Sequence, residues 1–229
     1  MTPDPLDRAV WHALTGEHAG FALGTGRARR YHPDIGPLAA IHDTTPESLA
    51  DLGELARQTG PLALMQDGDA LAVPGTDVAA RAEGVQMVFA GMPDPAIAED
   101  STIVALGEEH YPQMHALAAL TQPGPFAART GELGQFWGIF EEGRLMAMAG
   151  QRLRLATHVE MSAVCTHPEA RGRGHAARLS RRVVAAIMAE GRVPILHAYA
   201  SNEPALAIYR RLGFVLRASA WLTVYAPRG

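Results

Sequence analysis

Apolar positions along this 229-residue chain recur with two different periods, and these periods predict both strands and helices. Alternating or continuous short apolar runs indicate strands, whereas apolar residues three or four positions apart indicate helices. In the C-terminal part, strands are predicted at 103–106, 135–140, 144–152, 157–166 and 195–199, with a closing pair at 214–217 and 221–225. Helices are predicted there at 109–120 and 127–130, from 176 to 189, and around Tyr209.

The first hundred residues follow a less regular pattern. Strands are predicted at 20–23 and 38–41, and helices at 6–14 and 47–58, the second helix after the capping pair Thr45-Pro46. Short strands follow, and a run of Gly, Met and Pro then interrupts the pattern after Phe89. We therefore predict a domain boundary that separates residues 1–92 from residues 93–229.

One strand-to-helix junction has a composition suited to binding an anion. The strand ends in Val164-Cys165-Thr166-His167-Pro168, and a glycine-rich turn follows before the helix. Gly172 and Gly174 permit backbone angles that a side chain disfavours, so several amides can point at one anion beside the positive end of the helix. Arg171 and Arg173 add positive charge. The turn is therefore predicted to be a phosphate cradle.

The spacing within this cradle distinguishes it from other phosphate-binding turns. It contains neither GxGxxG followed by an acidic residue nor GxxxxGK[ST]. It does contain RxxGxA, formed by Arg171, Gly174 and Ala176. This resembles the pyrophosphate-binding signature of the GCN5-related N-acetyltransferase (GNAT) superfamily, which is Gln or Arg, two residues, Gly, one residue, and Gly or Ala. The resemblance implies that residues 171–176, including His175, bind the pyrophosphate of an acyl-CoA.

A second segment, residues 202–214, resembles the C-terminal motif of the same superfamily. Asn202 is suited to cap a helix with Pro204 in its first turn, and Gly213 is suited to end that helix. The resemblance implies that Tyr209 is the general acid that protonates the departing coenzyme A sulfur. It also implies that Asn202 hydrogen-bonds the pantetheine or pyrophosphate region.

The order of predicted elements after residue 93 is similar to a whole GNAT core. The resemblance implies a mixed α+β fold with a mainly antiparallel central sheet, flanking helices and two central strands that splay apart to admit the pantetheine. The sequence of residues 162–168 resembles that of the FR47-like branch, which is itself similar to glycine N-acyltransferases. Members of that branch often carry a degenerate copy of the fold in their N-terminal half, so we expect residues 1–92 to be such a region.

The resemblance also implies how the strand before the cradle is used. Backbone groups of Val164, Cys165 and Thr166 are expected to pair with the pantetheine like an added strand. The implied cosubstrate is acetyl-CoA or another acyl-CoA, and the implied acceptor is a small-molecule or peptide amine that attacks directly in a ternary complex. A lone cysteine inside a strand is usually core packing, so no covalent acyl-enzyme is expected at Cys165.

Direct attack calls for a base, because an ammonium group with a pKa near 10 has no free lone pair. Glu160 lies on the same long strand, two residues before Ser162, and its position resembles that of a glutamate kept by the branch. We therefore favour Glu160 as the base, acting directly or through a water molecule. Glu132, His110 and His197 are weaker candidates.

Composition excludes several other function classes. The chain carries 20 Lys and Arg residues against 24 Asp and Glu, without a long basic run, which argues against a nucleic-acid surface. No apolar run reaches the length of a membrane span, and the acidic N-terminus lacks the basic start of an export signal, so a cytoplasmic protein with no membrane partner is expected. The histidines lack paired spacing such as HExxH, and no CxxC occurs, so no metal site is expected.

Two other functions remain open from the sequence. A catalytically silent acyl-CoA-binding regulatory module would keep the cradle without the chemistry, although the presence of Tyr209 and Glu160 argues against it. A nucleotide or nucleic-acid binder would use the same loop to hold phosphate. The sequence favours an acyltransferase and leaves the acceptor and the acyl-chain length open.

Overall fold

The computed structural model describes residues 4–24, 26–94, 96–97 and 100–229. The helices of these residues are α1 (Ala9–Thr15), α2 (Pro46–Thr59), α3 (Tyr111–Thr121), α4 (His175–Ala189) and α5 (Glu203–Leu212). The strands are β1 (Ala22–Leu23), β2 (Ala28–Tyr31), β3 (Leu38–Ile41), β4 (Leu62–Gln66), β5 (Thr76–Phe89), β6 (Val104–Leu106), β7 (Phe136–Glu141), β8 (Arg144–Arg154), β9 (His158–Thr166), β10 (Val193–Tyr199) and β11 (Phe214–Pro227). Short 3-10 helices lie at Pro5–Arg8, Ala19–Phe21, Glu108–His110, Thr130–Leu133 and Pro168–Ala170.

The described strands form one 11-stranded sheet in the order β1-β2-β3-β4-β11-β5-β10-β9-β8-β7-β6. Neighbouring strands run antiparallel except for the pairs β3–β4 and β9–β10. This confirms the predicted mixed α+β fold with a mainly antiparallel sheet. Strand β11 lies between β4 and β5 and pairs with both, so strands from both sides of residue 92 share the sheet. The boundary itself falls in the loop after β5 and stays a prediction.

Several element bounds differ from the prediction. The closing pair of strands is a single strand, β11, which continues through a bulge between Leu216 and Ala218. The ladder to β5 carries the strand through residues 218–220, and the ladder to β4 begins at Trp221. The helix predicted at 6–14 is a 3-10 turn followed by α1, and the short helix predicted at 127–130 is a 3-10 turn at Thr130–Leu133.

The two faces of the sheet carry different helices. Val159 and Met161 of β9 and Leu196 of β10 belong to the core cluster that also contains the buried residues of α4 and α5. Ile195 of β10 belongs instead to the cluster around α1. Because side chains alternate along a strand, Glu160 and His197 lie on the α1 face of the sheet.

The parallel strands β9 and β10 separate partway along their length. They pair only at Val193 with His158, Pro194 with Val159 and Ile195 with Glu160. Beyond these pairs β10 continues along β5 and β9 continues along β8. A gap therefore opens between the two strands at the centre of the sheet, which confirms the predicted splay.

The buried residue His18 joins the N-terminal segment to the rest of the fold. Its side chain is 2% exposed, with Nδ1 2.8 Å from the Tyr31 hydroxyl and Nε2 3.1 Å from the Leu133 carbonyl oxygen. Since a carbonyl oxygen only accepts, Nε2 carries the proton and Nδ1 accepts from Tyr31. Burial lowers the pKa of His18 from 6.5 to about 4.

The low pKa of His18 predicts that the protein loses stability in mild acid. Between pH 6.5 and pH 4 the unfolded chain binds a proton at His18 that the folded chain excludes, so the free energy of unfolding should fall as the pH drops through this window. The two pKa values of 6.5 and about 4 correspond to a decrease of about 3 kcal/mol in the free energy of unfolding at the acidic end of this window. Urea unfolding curves recorded at several pH values measure this free energy.

The variant His18→Gln should be less stable than the wild type at pH 7.5 but should lose less stability on acidification. The matched control is His12→Gln, at an exposed position on α1, which should keep the wild-type pH dependence. An equally steep decline in His18→Gln would show that another group is responsible.

Candidate functional site

The predicted cradle lies between β9 and α4 and adopts the conformation that its glycines allow. Gly172 and Gly174 have φ angles of 79° and 78°, in the left-handed region that residues with side chains disfavour. Gly174 is the N-cap of α4. A Cβ at either glycine would meet no atom within 4 Å, so the glycines serve the backbone conformation and the space before them stays open. Amides of the turn and of the first turn of α4 are thereby free for an anion.

The charged residues of the cradle lie at its rim. Arg171 is exposed, whereas Arg173 donates to a carboxylate oxygen of Glu141 at 2.7 Å and to the carbonyl oxygen of Glu169 at 2.8 Å. Ala176 lies in the first turn of α4, where its small side chain keeps the approach to the helix terminus clear. The cradle thus offers backbone amides with flexible positive charge beside them.

Two buried polar groups beside the cradle lack partners among the described residues. The side chain of His175, the first residue of α4, is 9% exposed, and neither ring nitrogen makes a hydrogen bond. Its nearest acid, Glu141, lies 3.7 Å from Nε2. The hydroxyl of Thr166, at the end of β9, is also buried and unpaired. Buried polar groups are normally hydrogen-bonded, so these residues fit a site that receives a polar ligand such as the pyrophosphate of acyl-CoA.

A cavity of about 110 Å³ occupies the gap between β9 and β10, and we call it the gap cavity. It passes through the sheet, because its lining comes from both faces. Asn202 and Tyr209 of the α5 region line one side, and Arg152 and His197 line the other. Val164 of β9 also lines this cavity, as the predicted pairing with pantetheine requires.

Strand β9 is bulged where it borders the gap cavity. Met148 pairs with Cys165 and Gly150 pairs with Ser162, so two residues of β9 lie opposite one residue of β8. Ala163, within the bulge, has a φ angle of 53°. A bulge leaves its extra residue outside the regular ladder and redirects the strand. Backbone polar groups are therefore available beside the gap.

Helix α5 places Tyr209 at the gap cavity as predicted. Its N-cap is Asn202, whose Oδ1 accepts from the amide of Ala205 at 3.3 Å, and Gly213 ends the helix in a left-handed conformation. The Tyr209 side chain is buried, with its ring centroid 6.1 Å from that of Phe214, and its hydroxyl makes no hydrogen bond with the described residues. Burial raises the pKa of Tyr209 to about 12. The hydroxyl therefore keeps its proton at neutral pH and can donate it.

The Glu160 carboxylate is fully buried and held on both oxygens. Arg152 donates to Oε2 at 2.8 Å through Nε and to Oε1 at 2.6 Å through Nη2. The Leu153 amide donates to Oε2 at 3.3 Å, and His197 Nδ1 lies 2.8 Å from Oε1. Burial raises the pKa of Glu160, but the charge and hydrogen bonds of Arg152 and the hydrogen bond of His197 outweigh burial and hold the pKa well below its usual range. A carboxylate bound in this way is a poor acceptor of a substrate proton.

His197, which the sequence ranked below Glu160, lies beside the gap with a nitrogen that can act as a base. Because the Glu160 oxygen accepts, Nδ1 carries the proton in the neutral ring, and Nε2 presents its lone pair. Nε2 lies 2.9 Å from Gln86 Nε2. Gln86 is oriented by Arg217, which donates to its Oε1 at 2.7 Å, and the same Gln86 nitrogen also donates to the Leu6 carbonyl oxygen at 3.0 Å. Gln86 therefore keeps a partner if a substrate replaces it at Nε2.

The other sequence candidates lie outside the lining of the gap cavity. Glu132 pairs with Arg129 at 2.7 Å on a 3-10 turn, and His110 Nδ1 accepts from the Gly107 amide at 3.0 Å. Cys165 is buried, and burial raises the pKa of its thiol to about 11. A thiol that stays protonated is a weak nucleophile, which agrees with the packing role expected for Cys165.

Two properties of the described ranges limit other readings of the fold. Within them, no helix has both the length and the apolar character that a membrane crossing needs. Nor do three or more His, Cys, Asp or Glu side chains meet there in an arrangement suited to a metal ion.

The chain is similar to known proteins in both sequence and fold. The model of the FR47-like protein family matches residues 136–222. A crystal structure of a GNAT-family protein from Novosphingobium aromaticivorans DSM 12444 is 41% identical, with a TM-score of 0.92 over 99% of this chain and 100% of that chain. A comparison with curated proteins found no match.

Two more distant structures share the fold. A GCN5-related N-acetyltransferase from Kribbella flavida is 16% identical, with a TM-score of 0.57 over 95% of this chain and 96% of that chain. A tandem GNAT protein from the clavulanic acid biosynthesis pathway is 14% identical, with a TM-score of 0.53 over 88% of this chain and 78% of that chain. The higher identity to the Novosphingobium protein extends over nearly the whole chain, beyond the cradle and the Tyr209 helix. The chain therefore belongs to the GCN5-related N-acetyltransferase (GNAT) family of acyltransferases.

Proposed function

We propose that this protein transfers an acetyl or other short acyl group from coenzyme A to an amine. The observation that carries the proposal is the gap cavity, which has a buried, protonated tyrosine on one side of the sheet and a carboxylate–imidazole pair on the other. Strand β9 leads from this gap directly to the cradle. The family membership supports acyl transfer as the chemistry.

The cradle and β9 are proposed to hold the cosubstrate. Acyl-CoA supplies the activated acyl thioester. Amides of residues 172–176, with Arg171 beside them, bind the pyrophosphate, and His175 and Thr166 provide hydrogen-bonding groups that are otherwise unpaired. Backbone groups of residues 164–166 pair with the pantetheine, and the bulge at Ala163 leaves an amide able to polarise the thioester carbonyl.

Tyr209 is proposed to donate a proton to the departing sulfur. A thiol in water has a pKa of about 8.5, well below that of a buried tyrosine, so proton transfer to a solvated thiolate would be unfavourable. Protonation is therefore proposed to accompany cleavage of the C–S bond, so that the sulfur leaves as a thiol and no free thiolate forms.

His197 is proposed to take the proton from the acceptor amine, in place of the role predicted for Glu160. Nε2 of His197 carries the lone pair of the neutral ring and accepts from Gln86, which keeps its bond to Leu6 if a substrate takes its place. Glu160, in contrast, is bound by Arg152 and the Leu153 amide. Glu160 then acts as a positioning residue that fixes the tautomer of His197 and stabilises the imidazolium. The positive charge of Arg152 neutralises the negative charge of the buried Glu160 carboxylate when His197 is neutral.

The first prediction concerns the cradle. Gly174→Glu should weaken acetyl-CoA binding about tenfold or more, because it strains a left-handed position and puts a carboxylate at a site for pyrophosphate. Calorimetric titration with acetyl-CoA measures the affinity. The matched control is Gly143→Glu in the β7–β8 turn, where φ is 77° and a Cβ also meets nothing within 4 Å. Unchanged binding by Gly174→Glu would refute the cradle, and no binding by the wild type would refute the proposed function.

The second prediction separates chemistry from binding at Tyr209. Tyr209→Phe should lower turnover roughly 100-fold or more, because it removes the proton donor, and should leave acetyl-CoA affinity nearly unchanged. Thiol release in steady state measures turnover, with Tyr111→Phe, outside the gap lining, as the control. Normal turnover in Tyr209→Phe would exclude it as the acid, and wild-type acetyl-CoA binding without thiol release for any amine would favour the silent regulatory module.

The third prediction distinguishes His197 from Glu160 through the pH profile. His197→Gln should lose most of its turnover at neutral pH and recover part of it as the pH approaches the amine pKa of about 10, where the acceptor deprotonates unaided. Glu160→Gln should keep part of its turnover at neutral pH, because His197 remains as the base. If His197→Gln retains the wild-type profile and Glu160→Gln abolishes it, Glu160 is the base.

A further inference from the structure

A larger cavity of about 410 Å³ lies on the α1 face of the sheet, and we call it the α1 cavity. Its walls come from the segment 6–11, which includes the start of α1, from 39–44 after β3, from 64–67 at the end of β4, and from 217–220 of β11. Most of this lining belongs to residues 1–92, the part of the chain in which the sequence shows no catalytic motif.

The α1 cavity adjoins the gap cavity. Met65, His197 and Ala220 line both of them. His197, whose Nε2 accepts from Gln86 of the α1 cavity wall, therefore borders the space on the α1 side as well as the gap in which the thioester is proposed to lie. A molecule in the α1 cavity approaches the reaction from the face opposite to Tyr209.

We propose that the α1 cavity binds the acceptor, and that the acceptor is an amine with a bulky apolar body and a carboxylate that binds to Arg8. This inference rests on the proposed acyltransferase function and adds to it the acceptor class and the residues that select it.

Arg8 is the cationic wall residue that has donors to spare. Its side chain lies across the Trp11 ring at 5.2 Å from the centroid, and it donates to the Ile41 carbonyl oxygen at 2.8 Å. Among the described residues it has no ion pair with a carboxylate. A guanidinium has five N–H donors in a planar fork that matches a carboxylate, so most of the fork remains for a ligand.

The other charges of the wall are largely satisfied within the protein. Arg217 pairs with Asp4 at 2.9 Å and with Asp7 at 2.5 Å. The Asp43 carboxylate accepts hydrogen bonds from the side chains of Thr45 and Ser48. Asp67 is exposed at the rim, where water screens its charge. Arg8 is therefore the wall cation with the most hydrogen-bonding capacity left for an anionic group.

The remaining lining is mainly apolar and includes Val10, Ala40 and Met65, which belong to the cluster around α1. Apolar pockets of this size select ligands that bury an apolar body while a few polar groups set the orientation. An amine that binds Arg8 through its carboxylate and lies against these side chains can direct its nitrogen toward His197.

The test uses matched acceptors with the full-length protein. L-phenylalanine and L-leucine are compared with their amides and with phenethylamine and isoamylamine, first by calorimetry in the presence of free coenzyme A and then by thiol release from acetyl-CoA. The carboxylate-bearing members should bind more tightly.

Arg8→Gln should raise the KM of these carboxylate-bearing amines roughly 10- to 100-fold through loss of a charge-assisted contact, with acetyl-CoA affinity unchanged. Arg8→Glu should reverse the preference toward the amides and amines. Arg57→Gln on α2, exposed and paired with Glu54, is the control.

Equal KM values for Arg8→Gln and the wild type would overturn the assignment of Arg8. Failure of every carboxylate-bearing amine to bind, or a preference for diamines such as cadaverine, would overturn the acceptor class. Acetyl-CoA binding and acyl transfer to some amine would persist in those cases, so the acyltransferase function would stand. If the wild-type protein does not bind acetyl-CoA, both the proposed acyltransferase function and the proposed acceptor class are refuted.

Discussion

The hydrogen-bonded pairing of β9 with β10 ends at Ile195 and Glu160, and the rest of the site depends on this ending. Two adjacent strands that paired along their full length would leave no opening through the sheet. Because each strand has another neighbour beyond this point, β5 for β10 and β8 for β9, the separation leaves neither strand without a ladder. The central sheet thereby gains a passage between its faces, and each strand keeps one ladder while its edge along the gap is left free to pair with a ligand.

The residue at the end of that pairing also holds the main buried charge of the site. Glu160 meets Arg152 and His197 where the strands part. Removing one partner from a buried ion pair is strongly destabilising, whereas the intact pair contributes little net stability. The network is therefore better explained by what it orients than by what it stabilises. It fixes an imidazole between two cavities, in one tautomer, beside a gap that has a tyrosine on its other side.

Local motifs could be predicted from the sequence and long-range partnerships could not. The turn at residues 171–176 and the helix from Asn202 to Gly213 follow from glycine and capping chemistry within a few positions, and the structure has both. The contacts of Glu160 join residues 8 and 37 positions apart, and Gln86 meets His197 across 111 positions. No periodicity indicates such contacts, so the residues alone could not decide between Glu160 and His197 as the base, and the role of Glu160 stays a prediction. The α1 cavity was missed for the same reason, since its walls come from segments that are far apart in the sequence.

The insertion of β11 between β4 and β5 has a consequence for how the chain folds. Tyr225 of β11 bonds Gln66 of β4 across 159 positions, and β11 supplies the neighbour for one whole side of β5. Until that strand is synthesised, β4 and β5 present open edges that invite pairing with other chains. Contacts of such long sequence separation also slow folding, because the loop-closure entropy must be overcome before they form. During synthesis one side of the long strand β5 therefore stays unpaired until β11 has been made. In that interval its open edge is able to pair with other chains and so to promote aggregation.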